Sequence, residues 1–525
     1  MSLSKDLLAL SSSGANSDPL TAIHDTDVSR IILDHSKELD AIGVQSQDSS
    51  LPDDARAQLA CKAAQFVFGA RAVMPKNAAY EESKQLNWST MRRLPAACFI
   101  QVRTPLEVAI ALRIVTSLKA KFAVRSGGHN PNPGFGSIDG SGVLIDLGAL
   151  NSVTLSKDKK IASIGPGAVW EDVYERLEGH GRAVAGGRVK GVGVGVFFSD
   201  ADNMYIGEMS HFSNQWGFTA DNLQNVALVL ADSRIMQVNH STHPDLFKAL
   251  KGGGPNFGIA TCYDLRTNHN YRLWYTVRIY PASEKSRIMS AIIAIQAAME
   301  TDDKISFSVT IMKAMFLVRM MYQGWVDFPG VFSAFEGIPG MVEQEPPTRS
   351  TQFAVAEGTV FPGASRYAVG TITVRPNAAF YEEMHGLLEK IAREEGVTMM
   401  FTLQPLGAAT VEKARASGGN VLNMRKEEQA NQFPFVGILA MWTDDSLDEI
   451  AHDQIRRFLD AVKGVAKRRD AYLELEFLND ASYEQNPLKS YGDESLEFMR
   501  KVAAKYNPGS VFQRLQPEGF LLSKV

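Results

Sequence analysis

The chain has 525 residues, 45% of them hydrophobic and 22% charged, with a formal charge of −5. That length exceeds one ordinary core, so two or three globular domains are expected. Lys and Arg are scattered, which gives no electrostatic reason to expect nucleic acid as a partner.

The three cysteines, Cys61, Cys98 and Cys262, form no CxxC pair, so neither a zinc site nor a disulfide framework is indicated and no metal is expected. They read as small buried hydrophobes. No 18-residue uncharged apolar run is present, so no membrane span is expected. Met1–Leu10 lacks the basic start and long apolar stretch of an export signal. A cytoplasmic protein is therefore expected, or a secreted one if the first residues are wrongly assigned. Asn87-Trp-Ser89 and Asn239-His-Ser241 match the glycosylation pattern, in this setting by accident.

Residues 1–59 read as a polar, partly flexible leader with one helical segment, Val28 to Leu39. Gln65 to Pro75 suits either a strand or a buried loop. Thr104-Pro-Leu-Glu107 is a helix start, with a capping threonine, proline at the first position and glutamate at N3. That helix leads to the strand Phe122–Val124, which empties into Arg125-Ser-Gly-Gly-His129-Asn130. Paired glycines permit positive φ and close approach to a ligand. Successive amides in such a turn can hold an anion, and Arg125 and Ser126 add donors suited to phosphate.

Strands follow at Val143–Leu147 and Ile161–Ile164, then Gly165-Pro-Gly167 and a helix from Trp170 to Glu178. A second glycine cluster, Gly186 to Gly195, alternates valine with glycine, as a bulged turn or as a surface for a flat ligand. Val226–Ala231 and Arg234–Val238 flank Asp232-Ser233 as a hairpin. A third glycine site, Gly252 to Gly258, leads into Ile259–Leu265. Beyond residue 268 glycine becomes sparse, and amphipathic helices (Ile288–Met299, Phe380–Arg393) alternate with strands such as Tyr367–Val374 and Phe435–Trp442. Helices flanking a largely antiparallel sheet describe this region. Gly337–Ser350 and Glu412–Gln429 read as long polar connections, and Val511–Leu515 as a terminal strand.

Arg125-Ser-Gly-Gly-His129, Asp146-Leu147, Gly165-Pro-Gly167, Val192-Gly-Val-Gly195, Leu250 to Gly258, Phe477-Leu-Asn479 and Lys505 to Phe512 together resemble the vanillyl-alcohol-oxidase type of flavoprotein. More narrowly, the chain resembles its berberine-bridge-enzyme-like subgroup, many of them fungal, over roughly residues 70–520. The resemblance implies an α+β fold, with an FAD-binding domain at 60–268, a separate α+β substrate domain at 269–469, and a segment at 470–525 that completes the FAD domain and active site. It also implies FAD as cofactor, held by Arg125, Ser126, Gly127, Gly128, His129, Asn130, Gly187, Val192, Gly193, Gly195, Gly258, Ile259 and Asn479. His129 matches the histidine that bonds the 8-methyl carbon of the flavin. Relatives with a second, cysteinyl bond carry it where this chain has Val189, so a single link is expected.

Two stretches depart from the family pattern. Phe197 to Met209 replaces a triple-glycine turn, and Phe477-Leu-Asn479-Asp480 stands where related enzymes have Tyr-x-Asn-Tyr. Phe477 cannot accept a proton; Tyr472, Glu476 and Asp480 are the substitutes by position. Strand alternation would place Glu476, Leu478 and Asp480 on one face and Phe477 and Asn479 on the other. The implied activity is oxidation of a small organic substrate, with a lean to secondary metabolites, through FAD to O2. A dehydrogenase using another acceptor, or an inactive flavin- or metabolite-binding protein, are the alternatives. A monomer or homodimer is expected.

Overall fold

The computed structural model describes residues 2–13, 28–197, 209–359, 365–422, 424 and 433–525. The replaced triple-glycine stretch lies almost wholly outside them. The fold is α+β, built on three sheets. β1 (Ala72–Val73), β2 (Cys98–Gln101), β3 (Lys121–Arg125) and β4 (Gly142–Asp146) form the first, in the order β1-β2-β4-β3. β5 (Val153–Leu155), β6 (Ile161–Ile164), β7 (Leu223–Val229), β8 (Ile235–Asn239) and β9 (Ile259–Arg266) form the second, in the order β5-β6-β9-β7-β8.

In the first sheet β2 and β3 both run parallel to β4. The connection they require is the helix Pro105–Ser117, which starts as its sequence dictates: Thr104 accepts from the Glu107 amide. The Glu107 carboxylate turns away to Arg71, each of its oxygens 2.6 Å from a guanidinium nitrogen. The hairpin between β7 and β8 turns at Ser233, whose φ is 66°.

The leader is a correction. Helix Leu3–Ser13 packs on the helices Ser36–Gln45 and Pro105–Ser117, and Ser36–Gln45 on the helix Asp53–Phe68, with Leu3, Leu7, Leu39 and Ile42 buried in the core that also holds Ile110 and Val124. Leu3, Leu7 and Leu10 sit one turn apart, a stripe narrow enough for the polar remainder to mask. A second correction concerns the thiols. Cys61, on the helix Asp53–Phe68, is bridged to Cys98 on β2, and only Cys262 is free among the cysteines. Burial pushes the Cys262 thiol up to about 12, and Asp264 adds to the shift.

After β9 the chain enters the third sheet: β10 (Arg272–Pro281), β11 (Ile305–Ile311), β12 (Met315–Gln323), β13 (Val342–Thr351), β14 (Arg366–Val374), β15 (Thr398–Leu406), β16 (Phe433–Trp442) and β17 (Tyr472–Leu473). Its order is β13-β10-β12-β11-β15-β16-β14-β17, and each pairing is antiparallel. Helices Lys285–Ala298, Ala378–Ile391 and Asp448–Arg468 cover one face, over Phe401, Leu403, Val436 and Ile438. Period-2 alternation therefore turns Thr402, Gln404 and Gly437 to the other face. β13 occupies most of what reads in sequence as a polar connection, and the helix Ala408–Ala416 part of the other; residues 423 and 425–429 of that stretch lie outside the described residues. Val511–Leu515 is a helix, not a strand. Among the described residues no helix is long and apolar enough to cross a membrane.

Candidate functional site

The glycine turn leaves the carboxyl ends of two adjacent parallel strands, where Arg125 and Asp146 are register partners. Open parallel sheets place ligand sites at that edge. Arg125 itself faces inward: it donates to Asp146 Oδ2 at 2.5 Å and to the Ser83 carbonyl at 2.7 Å, and is 1% exposed. The guanidinium expected to meet phosphate thus braces the base of the turn instead. Ser126 likewise spends its hydroxyl on the Pro166 carbonyl.

The valine–glycine alternation has a packing cause. Residues 192–195 run beside 166–170, with Trp170 N–H donating to the Val192 carbonyl and Val194 N–H to the Ala168 carbonyl. A Cβ at Gly193 would come within 2.8 Å of the Gly127 backbone, and one at Gly195 would overlap the Ser126 hydroxyl. Close packing of three backbone segments by itself requires glycine at both positions. Val192 is core. The Gly187 carbonyl accepts from the Tyr174 hydroxyl at 2.6 Å. Gly258 packs where a Cβ would meet Val229 O at 2.8 Å, and Ile259 pairs with Val229 in the sheet.

Gly128 adopts φ +74°, and a Cβ there would meet Leu86 O at 2.9 Å. Its carbonyl accepts from the Trp88 amide. Next to it, the His129 ring lies on the Trp88 indole, centroids 4.2 Å apart and 10° from parallel, and Trp88 stacks in turn on Tyr367 of β14. Burial, and then the nearby Arg92 guanidinium, pull His129 down to about 4, so at neutral pH the imidazole is uncharged. Asn130 is fully buried; its Oδ1 accepts from Asn132 N–H, while Nδ2 has no partner.

Asn132 carries the turn to the carboxyl-terminal segment. Its Nδ2 donates to the Ala481 carbonyl at 2.9 Å and its Oδ1 accepts from Tyr483 N–H at 3.0 Å. Just before Ala481, Asn479 and Asp480 lie in a short 3-10 turn, Leu478–Asp480, rather than the strand that alternation assumed. Asn479 is 7% exposed, with neither its amide nitrogen nor its oxygen partnered. A buried amide with both ends open is costly unless a polar partner arrives. A polar heterocyclic edge such as that of FAD fits it, and the fully buried, open Nδ2 of Asn130 fits the same group.

The catalytic substitutes separate. Tyr472 and Glu476 line a cavity of about 240 Å³ with Arg456, Lys463 and Gln485, against the helix Asp448–Arg468. Glu476 is raised by burial, and its Oε2 accepts from Asn486 N–H. Asp480 lies against the face of the large sheet opposite its covering helices. Gln404 Nε2 donates to its Oδ2 at 2.8 Å, and the same oxygen lies 2.8 Å from where a Gly437 Cβ would be. Burial raises Asp480, against the pull of Gln404 and Arg188. Phe477 is apolar packing, stacked on Phe435 at 4.3 Å.

Sequence reasoning missed the partners of this group. Arg188 donates to Gln404 Oε1, and His211, 2% exposed with an unpartnered Nδ1, lies near both Arg188 and Arg319. Only period-2 alternation within β15 could have pointed to Gln404. Asn87, by contrast, is 2% exposed and bonded to the Arg92 carbonyl, so its glycosylation match is accidental. Among the described residues no group of three potential metal ligands forms.

Comparison with known proteins gives a consistent picture. The family described as FAD binding domain matches residues 96–239. An FAD-dependent monooxygenase of Arthrobotrys oligospora is 30% identical over 497 residues, covering 93% of this chain and 95% of that one. The bifunctional solanapyrone synthase of Alternaria solani is 30% identical, covering 81% of each chain. In three dimensions the chain is similar to BBE-like 1 of Physcomitrella patens, with a TM-score of 0.73 and 17% identity over 88% of this chain and 99% of that one.

Proposed function

Because the chain belongs to the FAD-linked oxidoreductases of the vanillyl-alcohol-oxidase type and has the fold of a berberine-bridge-enzyme-like protein, we propose that it oxidises a C–H bond beside a hydroxyl or amine of a small organic molecule, with O2 as final acceptor. For a secondary alcohol the balance is one alcohol and one O2 giving one ketone and one hydrogen peroxide. FAD, when bound, supplies the hydride-accepting ring.

The chain's own residues supply the rest. The amides of the 126–130 turn and the open amides of Asn130 and Asn479 hold the cofactor. Neutral His129 keeps a lone pair and is the proposed point of single covalent attachment. Asp480 takes the substrate's O–H or N–H proton, which strengthens hydride expulsion from the adjoining carbon. Gln404 steadies the carboxylate, and Trp88 with Tyr367 fixes the His129 ring. Tyr472 and Glu476 have no part in this step.

The observation that carries the reading is the pair of open polar atoms on buried Asn479, stitched through Asn132 to the glycine turn. Oxygen-electrode assays with peroxide detection over a panel of hydrophobic alcohols, phenols and hydroxy acids test it. Substrate-dependent peroxide at one equivalent per oxygen supports the oxidase. Anaerobic substrate that leaves bound flavin oxidised would contradict it.

A second reading, monooxygenation, is favoured by the name of the Arthrobotrys relative. Label from 18O2 recovered in product, with no peroxide, would select it. The Cys61–Cys98 bridge favours folding in an oxidising compartment over the expected cytoplasm.

A further inference from the structure

β12 places Met321 in a cluster with Phe212, Trp216 and Ala185, so the odd-numbered side chains of this strand face the FAD-binding side. Arg319 is one of them. It is the register partner of Val277 on β10 and Ser308 on β11, in the middle of the sheet. Its guanidinium meets the Tyr275 hydroxyl, while its buried Nε has no partner. His211 lies near it with a buried, unpartnered Nδ1. Arg188, the other cation here, is engaged by Gln404, which in turn holds Asp480.

Among the described residues, then, a half-buried guanidinium stands in the sheet's inner face with its Nε fully buried and unpartnered and the Tyr275 phenol as its hydrogen-bond partner. A cation partly withdrawn from water without an anion is unfavourable, and the deficit is met when a ligand brings the charge. Arg presents planar donors that match a carboxylate or an enolate in two-point fashion. His211, neutral in this setting, adds a polar ring atom beside it.

We propose that Arg319, with Tyr275 and His211, is the substrate-orienting site for an organic anion, a carboxylate or an oxygen anion of enolate or phenolate type. This rests on the oxidase reading above and deepens it. The anionic end is held at Arg319 while the oxidisable carbon lies toward Asp480, so the site selects acidic metabolites over neutral alcohols and sugars. Arg319 is a specificity residue here; it takes no proton.

The test uses purified holoprotein whose flavin content has first been measured, so that absence of FAD, which would sink the cofactor reading, is seen separately. Benzoate and its neutral isostere benzamide are titrated while the flavin spectrum is followed, with calorimetry in parallel. Benzoate should bind at least about tenfold more tightly than benzamide. Arg319→Gln should remove that preference with flavin content unchanged, and Arg319→Lys should restore part of it. Equal binding of the two probes by the parent protein, binding of neither, or an undiminished preference in Arg319→Gln would overturn the proposal.

Discussion

Gln404 donates to Asp480 across the inner face of the large sheet, at 2.8 Å. This bond and the burial act oppositely on the carboxyl: burial favours the neutral acid and raises it, whereas Gln404 favours the carboxylate. As the base, Asp480 must be ionised, so kcat/KM should rise with pH through a limb above the usual carboxylate range. Gln404→Leu should push that limb higher. Asp480→Asn should abolish it and cost about 100-fold or more in rate. Stability runs the other way. With its pKa raised by folding, the Asp480 contribution is fullest below the ordinary carboxylate value and is lost as pH rises through the raised one.

Arg125 distinguishes bracing from phosphate binding. Removing one partner of a buried pair strands the other charge, at about 3–5 kcal/mol. Arg125→Ala and Asp146→Ala should each lower stability to urea by that order, and the double variant should lose much less than their sum. Additive losses would mean that the pair is not coupled.

Gly128→Val should abolish soluble, FAD-loaded protein. The left-handed φ disfavours a β-branched side chain by about 1–2 kcal/mol, and the added carbon also presses on the Leu86 carbonyl. Gly181, at φ +67° with open space around its Cβ position, is the control. Gly181→Ala should retain flavin with a modest stability loss.

The Cys61–Cys98 bridge closes a separation of 37 residues, worth about 4 kcal/mol in chain entropy. Cys61→Ser with Cys98→Ser should therefore lower the midpoint of urea unfolding. Mass analysis of alkylated native protein should find one reactive thiol after unfolding without reductant, from Cys262. Three alkylated thiols would show that the bridge is absent.

Local signals in the sequence carried well to structure where backbone chemistry is local. The Thr104 cap, the Asp232-Ser233 turn and the glycine turn at 126–130 each name their own conformation. What failed depends on contacts between distant residues. The Cys61–Cys98 pair joins a helix to a strand and carries no spacing motif. Arg125 reads as a phosphate donor until Asp146 is seen beside it. Gly193 and Gly195 look like ligand-facing positions, yet their neighbour is the chain itself at Ser126 and Gly127. Tyr472, Glu476 and Asp480 are close in sequence, but a 3-10 turn sends Asp480 to another face than alternation assumes. Arg319 and His211 come together only when the large sheet meets the FAD-binding sheets.

The central claim is that this turn holds FAD and that His129 tethers it. Tryptic peptides of acid-denatured holoprotein, analysed by mass and flavin fluorescence, test it most directly. The account predicts flavin mass on the peptide containing His129. His129→Ala should lose that mass yet keep FAD that is released on denaturation. Flavin mass on any other peptide, or purified parent protein from which all yellow colour washes away, would contradict it.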